Sequence, residues 1–109
     1  MNVLFLPEVN EYLEYLVIIL YKKEYFSFFD SSEKYVEELV DDIKENLPTK
    51  QRKPAPEYFS QYGTGMEYAS FKKNKRTTWY VFYEIYEDTG EIIYLVRYIA
   101  NNHTVAQYL

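Results

Sequence analysis

The sequence predicts an α+β domain in which an antiparallel sheet carries a helical hairpin on one face. Two observations predict this class. Apolar residues recur at helical spacing in the first half of the chain, whereas the second half contains short runs rich in β-branched and aromatic residues, separated by turn residues. The predicted order is β-α-α-β-β-β, and helices on one face of an antiparallel sheet are typical of such an order.

The first elements are a short strand and a helix. Asn2 to Leu6 is an apolar run ended by Pro7, and proline suits the first turn of a helix but not the interior of a strand. The apolar residues that follow recur at the spacing of one helical stripe, and the helix is predicted to end near Lys22 and Lys23. The stripe consists of Val9, Tyr12, Leu13, Leu16, Val17 and Leu20.

The second helix follows an aromatic connector that runs from Tyr25 to Phe29. Asp30 is predicted as its N-cap, with Glu33 as the capping-box partner, and Pro48 prevents its continuation. One face carries the apolar stripe Val36, Leu39, Val40, Ile43 and Leu47, and the other carries Glu37, Glu38, Asp41, Asp42 and Glu45. Two helices with one apolar face each predict a helical hairpin.

The remainder of the chain predicts an irregular connection and three strands. Residues 48–65 hold three of the four prolines and are predicted to be irregular. The strands are predicted at Met66 to Lys72, Thr77 to Tyr86 and Glu91 to Ile99. Asp88-Thr89-Gly90 is predicted as the last hairpin loop, with Gly90 at a positive φ. The sheet face opposite the helices is expected to be partly open.

Length and composition limit the classes of protein. A chain of 109 residues, 48% of them hydrophobic, fits one domain with one core. Because there is no cysteine, disulfides and thiolate nucleophiles are excluded, and a single histidine gives no basis for a metal site. No metal or cofactor is therefore predicted. The sequence lacks a long apolar stretch, which predicts a soluble, cytoplasmic protein without a membrane partner.

The net charge of -5 is unevenly distributed along the chain. Residues 1–47 contain 4 basic and 11 acidic residues, whereas residues 48–109 contain 8 basic and 6 acidic residues. An anionic ligand is therefore expected to bind the second half. The acidic helix pair, residues 33–45 in particular, is expected to attract a small basic partner.

Four short segments, in this order, carry a family resemblance. They are Phe5-Leu6-Pro7-Glu8 between the first strand and helix, Glu67 in the next strand, Trp79-Tyr80-Val81-Phe82-Tyr83, and Val96-Arg97-Tyr98-Ile99. With the predicted order of elements, they resemble the RelE/ParE superfamily of bacterial toxins over essentially the whole chain.

The resemblance implies the toxin half of a toxin-antitoxin pair. RelE-like members cut messenger RNA in the ribosomal A site, ParE-like members inhibit DNA gyrase, and an antitoxin protein covers the toxin. For this chain it implies a metal-independent endoribonuclease that inhibits translation, with a cognate antitoxin and ribosome-bound mRNA as partners, or DNA gyrase instead. The alternative is a non-enzymatic binding protein on the same scaffold, because many relatives have Tyr-Arg where this chain has Trp79-Tyr80.

The catalytic candidates are His103, Tyr108, Arg97 and Arg76. Histidine suits proton transfer, although a polar residue that stabilises the last turn is the alternative for His103. The resemblance implies Tyr108, which matches a tyrosine near the C-terminus of RelE-like nucleases, and Arg76 as a substitute for the missing strand arginine. Arg97 lies in an apolar strand, where it binds phosphate or forms an ion pair with Glu67 or Glu84.

The candidates for nucleic-acid binding lie in two basic segments. Lys72, Lys73, Lys75 and Arg76 surround Asn74 in a predicted turn, and Lys50, Arg52 and Lys53 are expected to converge on them. A solvated hairpin turn is the alternative. A set of tyrosines is expected either to stack on bases or to pack across the strands: Tyr80, Tyr83, Tyr94, Tyr98 and Tyr108.

Aromatic residues are unusually frequent, since 14 Tyr, 7 Phe and 1 Trp occur in the chain. The connector Tyr25 to Phe29 and the tyrosine-rich sheet supply more apolar surface than a core of this size hides. Exposed patches of this kind mark interfaces. The free protein is therefore predicted either to self-associate as a homo-oligomer or to be poorly behaved alone.

Overall fold

Five strands form the single sheet of the computed structural model, which describes residues 2–109. They are β1 (Asn2–Phe5), β2 (Lys53–Pro54), β3 (Glu67–Lys72), β4 (Thr78–Asp88) and β5 (Glu91–Asn101). Their order in the sheet is β1-β5-β4-β3-β2, and the last three strands of the chain are antiparallel neighbours, as predicted. The α+β class is confirmed.

The first strand pairs in parallel with the last. Asn2 lies opposite Ile93 and Phe5 lies opposite Val96, so the sheet is mixed, and the prediction of an antiparallel sheet is wrong at this edge. The partner of β1 is at the other end of the chain. A local pattern of apolar residues predicts a strand but contains no information on the direction of so distant a partner.

Helices α1 (Pro7–Lys22) and α2 (Phe29–Asn46) pack as a hairpin on one face of the sheet. Their predicted stripes supply the core, in which Leu39 and Ile43 are fully buried. Ser32 is also fully buried, and its hydroxyl donates a 2.6 Å hydrogen bond to the carbonyl oxygen of Val17. Because the side chain is small and its hydroxyl is hydrogen-bonded, Ser32 lets the two helices approach closely.

The second helix begins at Phe29, so its N-cap is two residues earlier than the predicted Asp30. Phe28, in an extended conformation, is the N-cap, and no side chain caps this end. The backbone N–H groups of Ser31 and Ser32 instead donate to the Phe28 carbonyl oxygen. Asp30 therefore lies in the first turn, where its charge still favours the helix dipole.

Glu24 ends α1 in a left-handed conformation with φ of 61°. Its N–H donates to the Tyr21 carbonyl oxygen, and the N–H of Tyr25 donates to that of Leu20. These two bonds form a Schellman motif, in which glycine is the favoured residue at the left-handed position. Here a side chain with a Cβ, and with a negative charge near the C-terminal end of the helix, occupies it.

Glu24→Gly is therefore expected to stabilise the protein by about 0.5 to 1 kcal/mol, because the strain and the unfavourable charge outweigh the added freedom of the unfolded chain. Urea unfolding, followed through the fluorescence of the buried Trp79, measures the change. Glu24→Ala is the control, since it removes the charge but keeps the Cβ. It should gain less than the glycine variant, and an equal gain would contradict the role assigned to φ.

The turn between β4 and β5 is one residue shorter than predicted, because Asp88 belongs to β4 and pairs with Glu91. Thr89 and Gly90 connect the strands, with φ of 49° and 82°. Two central residues with positive φ are the signature of a type I′ hairpin turn. The positive φ of Gly90 is confirmed.

The second face of the sheet is more covered than predicted. The 3₁₀ segment Glu57–Tyr62 and the C-terminal helix α3 (Asn102–Val105) lie on it. Phe59 is fully buried and stacks on Phe82 at 4.2 Å between ring centroids, and Val105 is 1% exposed. These two segments carry much of the candidate site. No helix in residues 2–109 is long and apolar enough to cross a membrane.

Candidate functional site

A β-bulge in β5 controls the position of Arg97. Phe82 pairs with Tyr98 and Tyr83 pairs with Val96, so Arg97 is the extra residue between two pairs. A bulge re-aims the side chain that it carries. Arg97, which follows Val96, lies on the sheet face opposite the helical hairpin, and the bulge also places Tyr98 on that face.

The guanidinium of Arg97 is held by two partners. Its Nε donates a 2.9 Å hydrogen bond to the carbonyl oxygen of Tyr62, and its Nη1 lies 3.4 Å from Oε1 of Glu84. Gly63 makes this approach possible, since a Cβ there would lie 2.6 Å from Nε. The ion pair proposed as the alternative for Arg97 therefore forms, with Glu84 as the partner.

Arg97 contributes to the wall of a cleft of about 610 Å³, here called the arginine cleft. The cleft lies beside the part of β5 that follows its pairing with β1, between the start of α1 and the 3₁₀ segment. The rings of Tyr62 and Tyr98 stack at 3.8 Å between centroids and 5° between planes. The polar lining is completed by Glu8, Tyr12, Gln61 and Thr104.

Burial affects the hydroxyl groups of this cleft. It raises the pKa of Tyr98 above the usual value for tyrosine, and a hydrogen bond to Tyr62 adds to the effect. Burial likewise raises the pKa of Tyr12. Both side chains are therefore neutral hydrogen-bonding groups at physiological pH, and neither is a ready base.

Two consecutive asparagines position His103. The side chain of Asn101 caps α3 by accepting a 3.0 Å hydrogen bond from the backbone N–H of His103. The side chain of Asn102 accepts from the N–H of Thr78 at 2.9 Å and donates to the carbonyl oxygen of Arg76 at 3.0 Å. The helix is thereby tied to the turn between β3 and β4.

His103 lines a second cleft, of about 460 Å³, here called the histidine cleft. Its Nε2 lies 3.5 Å from the hydroxyl oxygen of Thr77. The lining also includes the apolar side of α1 and several polar side chains, among them Tyr12, Lys23, Tyr25, Tyr35, Asn74 and Thr104. An imidazole, a hydroxyl, a cation and aromatic rings are thus brought together.

The two clefts share Tyr12 and Thr104 and together form one surface, called the α1–β5 groove. It follows α1 from Glu8 to Lys23, which corresponds to about 22 Å at the rise of an α-helix. Arg97 lies towards one end and His103 towards the other. Two of the four catalytic candidates therefore line a common surface, in adjoining clefts.

Tyr108 lies outside this groove. Its ring stacks on Tyr58 at 3.6 Å and 2°, and the hydrogen bond with Tyr58 raises the pKa of Tyr108. The fourth candidate, Arg76, is exposed in the turn between β3 and β4, where its backbone carbonyl binds Asn102. The predicted catalytic set is therefore divided between the groove, the adjacent turn and a separate aromatic stack.

The basic residues form two groups at different positions along β3. Lys72, Lys73 and Lys75 lie at the turn, whereas Lys53 is opposite Tyr68, about 13 Å away along the strand. Lys50 alone reaches the later part of the strand, where its Nζ is 4.7 Å from the ring centroid of Phe71. Lys50 and Lys53 instead line a common surface pocket with Tyr68 and Ser70, and no residue of the turn contributes to it.

Two of the five predicted stacking tyrosines are buried beneath the helices. Tyr83 and Tyr94 belong to the core on that face and are inaccessible to a base. The hydroxyl of Tyr83 has no hydrogen-bond partner of normal geometry among residues 2–109. Burial raises its pKa, and the nearby charge of Arg52 opposes the effect only in part. Tyr98 remains at the groove.

Some site residues were not identified from the sequence. Asn101 and Asn102 were missed, although an asparagine that follows a strand is a strong signal for the N-cap of a helix. Gly63 and Tyr62 left no local signal, since their role depends on Arg97 far along the chain. In residues 2–109, no three His, Asp or Glu side chains are grouped so as to hold a metal ion.

Comparison with protein-family models, with curated proteins and with solved structures finds no match to the chain.

Proposed function

We propose that this domain is a toxin of the RelE/ParE kind, the toxin half of a toxin-antitoxin pair, and that it cleaves ribosome-bound messenger RNA in the cytoplasm without a metal ion. One observation carries the proposal. His103 lies beside the Thr77 hydroxyl in a cleft that also presents Lys23 and aromatic rings, next to the basic turn. The order of helices and strands supports the same proposal.

The reaction requires little besides proton transfer and positive charge. The 2′-hydroxyl of the RNA attacks the adjacent phosphorus, the bond from phosphorus to the 5′ oxygen breaks, and a 2′,3′-cyclic phosphate and a 5′-hydroxyl result. One proton leaves the attacking oxygen and another reaches the leaving oxygen. His103 serves this transfer, and cations stabilise the charge on the phosphorane.

Cationic residues occur in the turn that precedes Thr77 and at the end of α1. Arg76, Lys73 and Lys75 follow the basic end of β3, and Lys23 lines the histidine cleft. Arg97 offers the guanidinium edge that Glu84 and Tyr62 leave free, at the other end of the groove. A single strand bound along α1 meets these charges in turn and passes the stacked rings of Tyr62 and Tyr98 in the wall of the arginine cleft.

Induced expression and mapping of transcript ends test the proposal. The native protein is expected to arrest growth and to produce new 5′-hydroxyl ends within translated messages. His103→Ala should lower the cleavage rate by about 100-fold or more, the usual contribution of a general acid or base. Gln107→Ala is the matched control, because Gln107 is exposed on the same segment and lines neither cleft.

A second candidate is a non-enzymatic binding protein, such as a gyrase inhibitor. The division of the predicted catalytic set favours it, since Arg97 is engaged by Glu84 and Tyr108 by Tyr58. Growth arrest with intact transcripts, equal in the native protein and His103→Ala, would reject the nuclease. Inhibited supercoiling by purified gyrase would then identify the target, and unchanged growth with intact RNA would reject both toxin activities.

A further inference from the structure

A groove of about 520 Å³ runs between α1 and α2 on the exposed side of the hairpin. Its floor is apolar and consists of Leu13, Val17, Val36 and Val40. Its rim carries the exposed carboxylates of Glu14, Glu33, Glu37 and Asp41, and no basic residue of the described chain lines it. It is called the acidic groove below.

The apolar floor extends beyond the groove itself. Tyr21 is one turn after Val17 on α1, and Phe29 is one turn before Glu33 on α2. Their rings meet edge to face at 5.6 Å, and they are 41% and 43% exposed. From Asn10 to Tyr21 the surface follows α1 for about 16 Å, which is three helical turns.

The rim charges have no compensation within the described chain. The ion pairs of residues 2–109 join Lys34 to Glu38 and Arg97 to Glu84, and neither involves a rim carboxylate. Glu33, Glu37 and Asp41 also repeat at a spacing of four residues on α2. Like charges at that spacing repel and weaken an isolated helix. Positive charge from a bound partner would remove this cost.

We infer that the acidic groove docks an amphipathic helix of a partner protein, with an apolar stripe bordered by Lys or Arg. The floor requires apolar side chains at helical spacing, and the rim requires cations on both sides of that stripe. A nucleic acid is repelled by the four carboxylates. A second copy of this chain fits poorly, because its basic turn, residues 72–76, lacks an apolar stripe.

This interface is separate from the α1–β5 groove. The two surfaces share no lining residue, although both use α1. The inference does not depend on RNA cleavage, because it concerns binding alone.

The test uses labelled synthetic peptides, since the natural partner is unidentified. The probe is a Leu/Lys peptide about four turns long with one apolar stripe. Fluorescence anisotropy is expected to show saturable binding to the intact protein, which weakens as salt is added. A Leu/Glu peptide with the same stripe should not bind, and neither should a Leu/Lys peptide whose scrambled order destroys the stripe.

Two variants with equal net charge locate the binding site. The groove variant combines Glu33→Gln, Glu37→Gln and Asp41→Asn, and should bind the Leu/Lys peptide at least about tenfold more weakly. Its thermal midpoint should rise, because repulsion on α2 is relieved. The control variant combines three carboxylate changes outside the groove and should bind almost as well as the native protein: Glu11→Gln, Glu38→Gln and Glu45→Gln.

Three results would overturn the inference. They are no saturable binding of the Leu/Lys peptide, equal weakening by the two variants, and equal binding of the scrambled peptide. Sizing at low salt tests the competing occupant. A native protein that forms dimers or larger species, which the groove variant abolishes and the control variant retains, would assign the groove to a second copy instead.

Discussion

Phe59→Ala is expected to destabilise the protein by about 3 to 5 kcal/mol, the cost usual for truncating a fully buried phenylalanine. Phe59 is the only fully buried side chain of the 3₁₀ segment. It stacks on Phe82 and meets Tyr58 edge to face at 5.0 Å between centroids. Its loss removes the only side chain of residues 57–62 that is fully buried against the sheet.

The loss of local stability in Phe59→Ala should be largest in the 3₁₀ segment. Hydrogen exchange is expected to accelerate first in residues 57–62, ahead of the helical hairpin, whose core is on the other sheet face. Tyr62 would then leave Arg97, and the arginine cleft would open. Denaturant unfolding gives the total cost, and a value below about 1 kcal/mol would contradict the assigned anchoring role.

Phe28→Ala is the matched control for this change. Phe28 is 72% exposed, and it precedes α2 without a side-chain capping bond. The same truncation there is expected to change the free energy of unfolding by less than about 0.5 kcal/mol. Because both variants replace Phe with Ala, the difference between their free energies of unfolding measures the contribution of burial at Phe59.

Local periodicity was sufficient to predict the helical hairpin and the three main strands. Leu39, Ile43 and Leu47 were assigned to one stripe of α2, and all three are fully buried. The spacing of apolar residues determines which face of a helix can be buried, and this information lies within a few turns of chain. The turn at Thr89 and Gly90 is similarly local, since it depends on the freedom of glycine.

Features that depend on distant partners were not predicted. The direction of β1 depends on β5, and the bulge at Arg97 depends on how β5 aligns with β4. The extra residue reverses the alternation of side chains after Arg97, so that Val96 and Ile99 both lie on the hairpin face, and nothing in the nearby residues indicates where it is inserted. The sequence named His103, Tyr108, Arg97 and Arg76 as one catalytic set, and their division between the groove, the turn and the Tyr58 stack was not predicted.

The candidate site is assembled from segments that the sequence presented as irregular. The 3₁₀ segment supplies Tyr62, and the residues after β5 supply Asn102 and His103. Each segment buries one apolar side chain, Phe59 or Val105, in the smaller core on this face, and its other contacts are hydrogen bonds and ring stacking at the surface. Small changes in those two side chains are consequently expected to affect the site more strongly than the fold.

Gly63→Ala is expected to destabilise the protein by about 2 kcal/mol, although the backbone there suits any residue. Gly63 has a φ of 163°, which is ordinary extended backbone. The cost arises because the new Cβ would lie 2.6 Å from Nε and 2.9 Å from Cδ of Arg97. To avoid this contact, the guanidinium must give up its bond to the Tyr62 carbonyl oxygen and its approach to Glu84.

A double-mutant cycle with Arg97→Ala separates this cause from others. Without the guanidinium, the cost of Gly63→Ala should fall by at least half, with the 3.0 Å contact to Met66 Sδ as the remainder. Gly65→Ala is the control, since its Cβ meets nothing within 4 Å but its φ of 68° strains any side chain. Its cost, about 1 kcal/mol, should be the same with or without Arg97. If the Gly63→Ala cost is equally independent of Arg97, the glycine is not what allows the guanidinium to approach.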